Sequence, residues 1–294
     1  MPRLLSRPSP NYGLLIRSLI SGVKFDSDMV FFAKGRDALV YGLKLLDIAP
    51  GSAILIPAYM CDSTIVPLRQ RGYKLIFVDI DENFDFNLSV VERLIKSSNI
   101  KAILAPHYFG FPAKIKDLLY LCNAYGVKVI EDCAHSFLSK IDDKPVGSFG
   151  HIAIYSMRKT LAVPDGGALK INYGCTSLPP VHASYNKKPS YQDISYLVQR
   201  VLEKVIVSVG RINIYSKKFV RWKDGFRSLV NVKFKKYDTS NNNSLISPSW
   251  QLKAYLENKQ YLEEIAIKRR NNFETLVEKF RAIKVDLLLE NHLM

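Results

Sequence analysis

The sequence predicts an α/β fold with a mostly parallel sheet over residues 29–172. Short apolar runs alternate there with amphipathic stretches of helical length, and polar residues gather where the apolar runs end. MVFFA (29–33) reads as the first strand. RDALVYGLKLLDI (36–48) carries Leu39, Val40, Leu43 and Leu46 near helical spacing, and Pro50-Gly51 stops it. SAILIP (52–57) reads as a buried strand, with a helix opening at Asp62 or Ser63. YKLIFVDI (73–80) is the next strand, and Asn87 or Ser89 caps a helix over VVERLIKS. KAILAPHYF (101–109), a helix over 115–125, VKVIED (127–132), HIAIYS (151–156) and GGALKIN (166–172) complete the series.

The tail has a different character. Helical patterns cover 193–210 and 215–230, the polar run TSNNNS (239–244) reads as a linker, and 248–282 reads as one long helix or a helix pair. The division expected is an N-terminal arm (1–24), a large domain (25–175), a basic helical insertion with its linker (176–244) and the start of a smaller domain (245–294).

Composition excludes several classes. A 48% hydrophobic, 23% charged chain of 294 residues can bury a core, which intrinsic disorder cannot. No apolar run approaches the ~18–20 residues that span a bilayer, and Arg17 interrupts the only apolar stretch near the N-terminus. Cys61, Cys122, Cys133 and Cys175 are far apart with no CxxC pair, which argues against a disulfide framework or a metal site and fits a reducing cytoplasm. Net charge is +15, and ten basic residues against Glu203 and Asp224 fall within 201–236. That segment is a solvated helix face or a surface for an anionic partner.

In open α/β sheets the chemistry gathers at the carboxyl ends of the strands. Lys34 to Asp37, Pro57 to Tyr59, His107, Glu131-Asp132 and Ser156 to Lys159 all follow strands and are expected to converge in one crevice. No GxGxxG and no GxxxxGK[ST] stands at any of these turns, so neither a dinucleotide site nor a P-loop is expected. Gly35-Arg36-Asp37 opens a helix after a strand, where free N–H groups attract phosphate. Asp37 opposes a phosphate unless its side chain caps the helix. Glu131 faces away from Asp132 if the strand persists.

Five features in order carry a resemblance: KGRDAL (34–39), PAYMC (57–61), HYFG (107–110), EDCAHS (131–136) and YSMRKTLAVPDGGAL (155–169). Together they resemble the aspartate-aminotransferase-like, fold-type-I enzymes of pyridoxal 5'-phosphate, and within them the DegT/DnrJ/EryC1/StrS sugar aminotransferases. The resemblance covers about 30–172 and is looser over 245–282. It implies that Lys159 holds the cofactor and moves the proton as general acid/base, and that Asp132 keeps the pyridine nitrogen protonated. It places His135 near the ring oxygen, where a structural histidine is the competing reading. It gives Gly35, Arg36, Asp37 and Ser156 to the phosphate side, with Arg158 a weaker candidate. Cys61 stands where the family has an aromatic residue, so Tyr59 stacks on the cofactor in its place or is an ordinary core aromatic.

The implied activity is transfer of an amino group, from glutamate, to a nucleotide-linked keto-sugar in a polysaccharide or antibiotic-sugar pathway. A cytoplasmic homodimer is implied, with no nucleic-acid partner. The chain reaches only LLLENHLM (287–294), short of the family's complete small domain. Two alternatives are a catalytically impaired cofactor-binding or interaction protein of the same fold, and an anionic-surface binder that meets nucleic acid or a membrane face through 201–236. Lys159 argues against the family's dehydratase branch, where that lysine is replaced.

Overall fold

The computed structural model describes residues 8–21, 28–175, 191–209 and 249–282. Among these, seven strands form one sheet in the order β1-β9-β8-β5-β4-β2-β3. They are β1 (Met29–Phe32), β2 (Ala53–Pro57), β3 (Lys74–Val78), β4 (Ile100–Pro106), β5 (Lys128–Cys133), β8 (Ile152–Ser156) and β9 (Gly167–Ile171). A two-residue-per-strand hairpin, β6 (Lys140–Ile141) with β7 (Lys144–Pro145), lies outside the sheet. The sequence reading missed it, because two-residue strands carry no periodicity.

Crossover helices build the parallel part. Helices α2 (Gly35–Leu45), α3 (Asp62–Gln70), α4 (Leu88–Ser98) and α5 (Ile115–Ala124) follow β1, β2, β3 and β4. Asn87 is the cap of α4, accepting from the N–H groups of Ser89 and Val90. The pairs β2·β3, β2·β4, β4·β5 and β5·β8 are parallel. The central strands are apolar on both faces, as a doubly covered sheet requires, and β2 is buried along its whole length.

One strand runs the other way. β9 pairs antiparallel with both β8 and β1. The link from β8 to β9 is a short irregular segment with no crossover helix, so the chain turns straight back beside its own strand. That reversal sets Gly167 opposite both Ser156 and Phe32. A Cβ on Gly167 would lie on the backbone of Lys34, so the close approach of the two turns requires glycine there.

Strand alternation sorts the two faces of β5. Ile130 belongs to the core beneath α2 and α3, with Leu39, Leu43, Ile54 and Leu104. Val129 belongs to the core beneath α4 and α5, with Val91, Ile103 and Leu118. Asp132 shares the first face and Glu131 the second. Glu131 is fully buried there and accepts from His107 Nε2 (3.0 Å) and from the N–H groups of Gly147 (2.9 Å), Phe149 (2.8 Å) and Gly150 (2.6 Å). Burial alone would raise its pKa; the His107 bond, then the backbone donors, reverse this and hold it below the usual carboxylate value.

A third core cluster joins distant parts of the chain. Helices α1 (Tyr12–Ser21), α6 (Tyr191–Val209), α7 (Trp250–Glu257) and α8 (Lys259–Ala282) flank the sheet, and 248–282 is therefore a helix pair. Leu15, Trp250, Leu252 and Tyr255 share this cluster with Tyr155, Met157 and Leu161. Asn11 N–H donates to Tyr255 Oη (3.1 Å), and Arg200 donates to the Pro8 carbonyl (2.9 Å). The helix read at 215–230, the linker at 239–244, most of the basic segment 201–236 and the terminal LLLENHLM lie outside the described residues.

Inside this junction Asp165 accepts from the Ser249 N–H at 3.0 Å. Burial first, with Asp193 nearby, pushes its carboxyl up to about 6 against the bonds from Ser249. The folded state then holds this proton more tightly than the unfolded chain, whose carboxyl titrates near 3.9. Asp165 therefore stabilises the fold below about pH 4, and that contribution is lost as pH rises through about 6.

Two outcomes follow for stability. Gly167→Ala should cost about 2–4 kcal/mol, since backbone cannot yield as a side chain does, and urea unfolding measures it. Asp165→Asn should flatten the pH dependence between about pH 4 and 6, gaining on the wild type as pH rises through that window. Parallel urea midpoints for the two proteins would show otherwise.

Candidate active site

A cavity of about 620 Å³ opens at the carboxyl ends of the parallel strands, a volume suited to an organic cofactor with part of a substrate. Lys159 stands in the turn after β8, Asp132 near the end of β5, and Gly35-Arg36 at the start of α2. Gly35, Arg36, Tyr59, Asp132, His135, Ser156 and Lys159 all line this cavity, brought there from four separate stretches of the chain. Asp37 does not line it. The Lys34 N–H donates to the Asp37 carboxylate, and the Asp37 N–H is spent on the Lys34 carbonyl at 3.0 Å. Asp37 therefore caps α2 and offers nothing to a phosphate.

Asp132 sits at the wall of the cavity with 8% of its surface exposed. Its Oδ1 accepts from the Ala134 N–H (3.0 Å). Burial raises its pKa, and the Ala134 bond with Lys159, His135 and His107 opposes that without cancelling it. A carboxylate so placed is short of positive charge, and a cationic N–H in the cavity would supply it.

His135 Nε2 lies 3.0 Å from Lys159 Nζ. Burial, then the charges of Lys159 and of Arg269 on α8, hold the imidazole below its usual pKa against the pull of Asp132. The ring is therefore neutral at pH 7, and its Nε2 accepts a hydrogen bond from Lys159 Nζ. The ring also stacks on Phe109, with centroids 6.1 Å apart and planes 6° from parallel.

Part of the cavity lining is cationic. Lys34, Arg36 and Arg158 line it beside Ser156 and the first turn of α2. Arg36 Nε is buried with no hydrogen-bond partner among the described residues. Burial first, then Arg36 and Arg158, lowers the pKa of Lys34 against the pull of Asp37. An orphaned guanidinium nitrogen, a helix start and crowded cations together fit a phosphate group. With Asp132 and Lys159 lining the same cavity, the residues present fit pyridoxal phosphate.

Tyr108 and Phe109 line the cavity beside Tyr59 and went unassigned in the sequence reading. Tyr59, Phe84, Tyr108 and Phe109 form a continuous ring cluster with centroids 5.3–6.2 Å apart. The Tyr108 hydroxyl donates to the Tyr59 carbonyl at 2.6 Å, fixing the strand-end segment that holds Tyr59. Phe84 and Phe109 both adopt left-handed φ (63° and 56°), a costly conformation for bulky side chains. HYFG was visible as a motif, but nothing local announces such backbone.

His107, Glu131 and Cys133 bring possible metal-ligand atoms within 4.8 Å of one another. Those atoms are already engaged. His107 Nδ1 accepts from the Ala113 N–H (3.0 Å), so its proton is on Nε2 and points at Glu131. Both Glu131 oxygens accept backbone donors. This is a hydrogen-bond hub.

Comparison with known proteins agrees with this geometry. The profile of the DegT/DnrJ/EryC1/StrS aminotransferase family matches residues 26–175. UDP-N-acetyl-3-dehydro-alpha-D-glucosamine 3-aminotransferase of Acidithiobacillus ferrooxidans is 33% identical over 161 residues, covering 53% of this chain and 43% of that protein. GDP-perosamine synthase of Escherichia coli O157:H7 is 32% identical over 143 residues, covering 48% of this chain and 39% of its own. The chain thus spans about two fifths of the length of these relatives. Among solved structures, the aminotransferase from Psychrobacter cryohalolentis superposes with a TM-score of 0.57 at 18% identity, over 96% of this chain and 70% of that one, which shows a shared fold. By the profile match over half its length, the chain belongs to the DegT/DnrJ/EryC1/StrS aminotransferase family.

Proposed function

We propose that this chain binds pyridoxal phosphate through Lys159 on its 25–175 unit and transfers an amino group to the keto group of a nucleotide-linked sugar. The observation that carries the reading is the convergence on one cavity of Lys159 Nζ, the buried Asp132 carboxylate and the cationic start of α2. The names of the relatives favour a nucleotide-sugar substrate. Glutamate as amino donor, a homodimeric assembly and a cytoplasmic setting complete the reading. No helix among the described residues is long and apolar enough to cross a membrane.

When bound, pyridoxal phosphate supplies an electron sink for negative charge developing at the donor's α-carbon. The chain's own residues do the rest. Asp132 accepts a hydrogen bond from a protonated ring nitrogen and so keeps that proton in place; its shortage of positive charge is the driving force. The Gly35 and Arg36 end of α2, with Ser156 and Arg158, binds the phosphate and orients the ring. His135, neutral and accepting at Nε2, holds Lys159 Nζ to one side of the cavity. Lys159, in the exposed turn after β8, takes a proton from the donor's α-carbon and later returns one as general acid.

Two measurements test this reading. Borohydride reduction in the presence of pyridoxal phosphate, followed by peptide mapping, should label the peptide that contains Lys159. Label on another lysine, or none, removes the assignment. Asp132→Asn should retain the fold and bind cofactor, yet slow the half-reaction with glutamate by about 10²-fold or more, since a neutral amide cannot hold the ring proton. A half-reaction close to the wild-type rate would end the role given to Asp132.

A further inference from the structure

The turn that carries Lys159 is gripped from a part of the chain more than eighty residues away. Between β8 and β9 the backbone closes on itself: Met157 N–H donates to the Gly166 carbonyl (2.7 Å), and Thr160 and Leu161 donate to Met157 (2.8 and 2.7 Å). Leu161, Ala162 and Val163 then pack into the cluster that holds Trp250, Leu252 and Tyr255 of α7. That contact is apolar and non-directional, so by itself it would let α7 slide. The directional element is Asp165, whose Oδ2 accepts the Ser249 N–H at the cap of α7 (3.0 Å).

We propose that Asp165 is a positioning residue for the site: its carboxylate fastens the start of α7 to the Lys159 turn, so that the docking of α7 fixes where that lysine stands. The relevance to chemistry rests on the reading of Lys159 given above; the coupling itself does not.

Three observations support it. The carboxylate lies at the N-terminal end of α7, where charge-assisted bonds and the helix dipole favour an anion. Ser249 Oγ accepts from the Leu252 N–H (3.2 Å), and the same side chain also bonds the Asp165 carboxyl, so Ser249 serves the tether through both its N–H and its hydroxyl. The surroundings are polar and closed: Lys253 of α7 and Asp193 of α6 are each 2% exposed, and Lys253 feels the charges of Asp193 and then Asp165. A carboxylate enclosed in this way is an expensive means of holding two elements together, since apolar packing would do so at less cost. What it adds is a fixed direction. The same helix pair reaches the far side of the site, because Arg269 of α8 acts on His135.

Ser249 allows a selective test. Its φ of −55° suits proline, so Ser249→Pro removes the N–H donor together with the cap hydroxyl, while Ser249→Ala removes the hydroxyl alone. Amide exchange of the full chain without cofactor should rise about tenfold in both 157–163 and 249–257 for Ser249→Pro and Asp165→Ala. For Ser249→Ala, which keeps the N–H donor and loses only the hydroxyl bond, it should rise less in 157–163 than for Ser249→Pro, and it should stay at wild-type level in 88–98 and 115–124 throughout. Asp165→Asn, which keeps an acceptor oxygen, should restore most protection at both places. With pyridoxal phosphate added, the pH at which the visible absorbance changes should shift further in Ser249→Pro than in Ser249→Ala.

Unchanged exchange at 157–163 in Ser249→Pro, or equal loosening there in Ser249→Ala, overturns the proposal. Should Asp165→Ala fail to fold, the two Ser249 variants decide alone. A wild-type protein that binds no pyridoxal phosphate removes the function proposed above and leaves the exchange comparison standing.

Discussion

The buried carboxylate of Glu131 is the constraint on which the site geometry depends. It is fully enclosed, and a charge so placed is tolerated only where donors surround it. Its donors come from two different places: His107 at the end of β4, and Gly147, Phe149 and Gly150 in the segment that leads into β8. Satisfying one anion therefore ties together the ends of three adjacent strands. Because side chains alternate along β5, the same arrangement turns the next residue, Asp132, to the opposite face and into the cavity. Structural anion and site anion are neighbours in sequence with opposite environments. Glu131 is rich in donors and held below its usual pKa, while Asp132 is poor in them and raised above it.

The second organising feature is the reversal of β9. A parallel sheet alone would bring β1 and β8 no closer than their places in the order allow. With β9 between them and antiparallel to both, the turn after β8 and the turn after β1 meet across Gly167. The cationic start of α2 and the lysine of the β8 turn thus share one wall of the cavity. Its lining carries both signs of charge: the cations Lys34, Arg36 and Arg158, and the carboxylate of Asp132, with the neutral His135 beside Lys159. Such a lining suits a ligand that carries both an anionic phosphate and a protonated ring nitrogen.

The third feature is the junction of α1, α6 and α7 on the sheet's flank. Its core mixes Leu15, Trp250 and Tyr255 with Met157 and Leu161, which immediately flank the Lys159 turn. Segments that composition alone would set apart are therefore packed against the chemistry. Cys61 and Tyr59 face the cavity from the α3 side, and the Tyr108 hydroxyl bond fixes the backbone there.

Much of this was legible in the sequence. Apolar runs bounded by Pro, Gly and Asn identified the sheet strands to within a few residues, Asn87 was one of two residues that offered the α4 cap, and five ordered motifs pointed to one family. Those signals are local, and local chemistry suffices to produce them. Tertiary structure alone decided the direction of β9, because a strand's apolar pattern reads the same both ways. It decided that Asp37 caps α2, because a helix-opening aspartate can serve either its own backbone or a ligand. It decided the left-handed Phe84 and Phe109, the four-donor nest of Glu131, and the grip of Asp165 on Ser249. The Glu131 and Asp165 contacts join groups 16 to 84 residues apart, and a sequence does not record which distant donors will meet a given carboxylate.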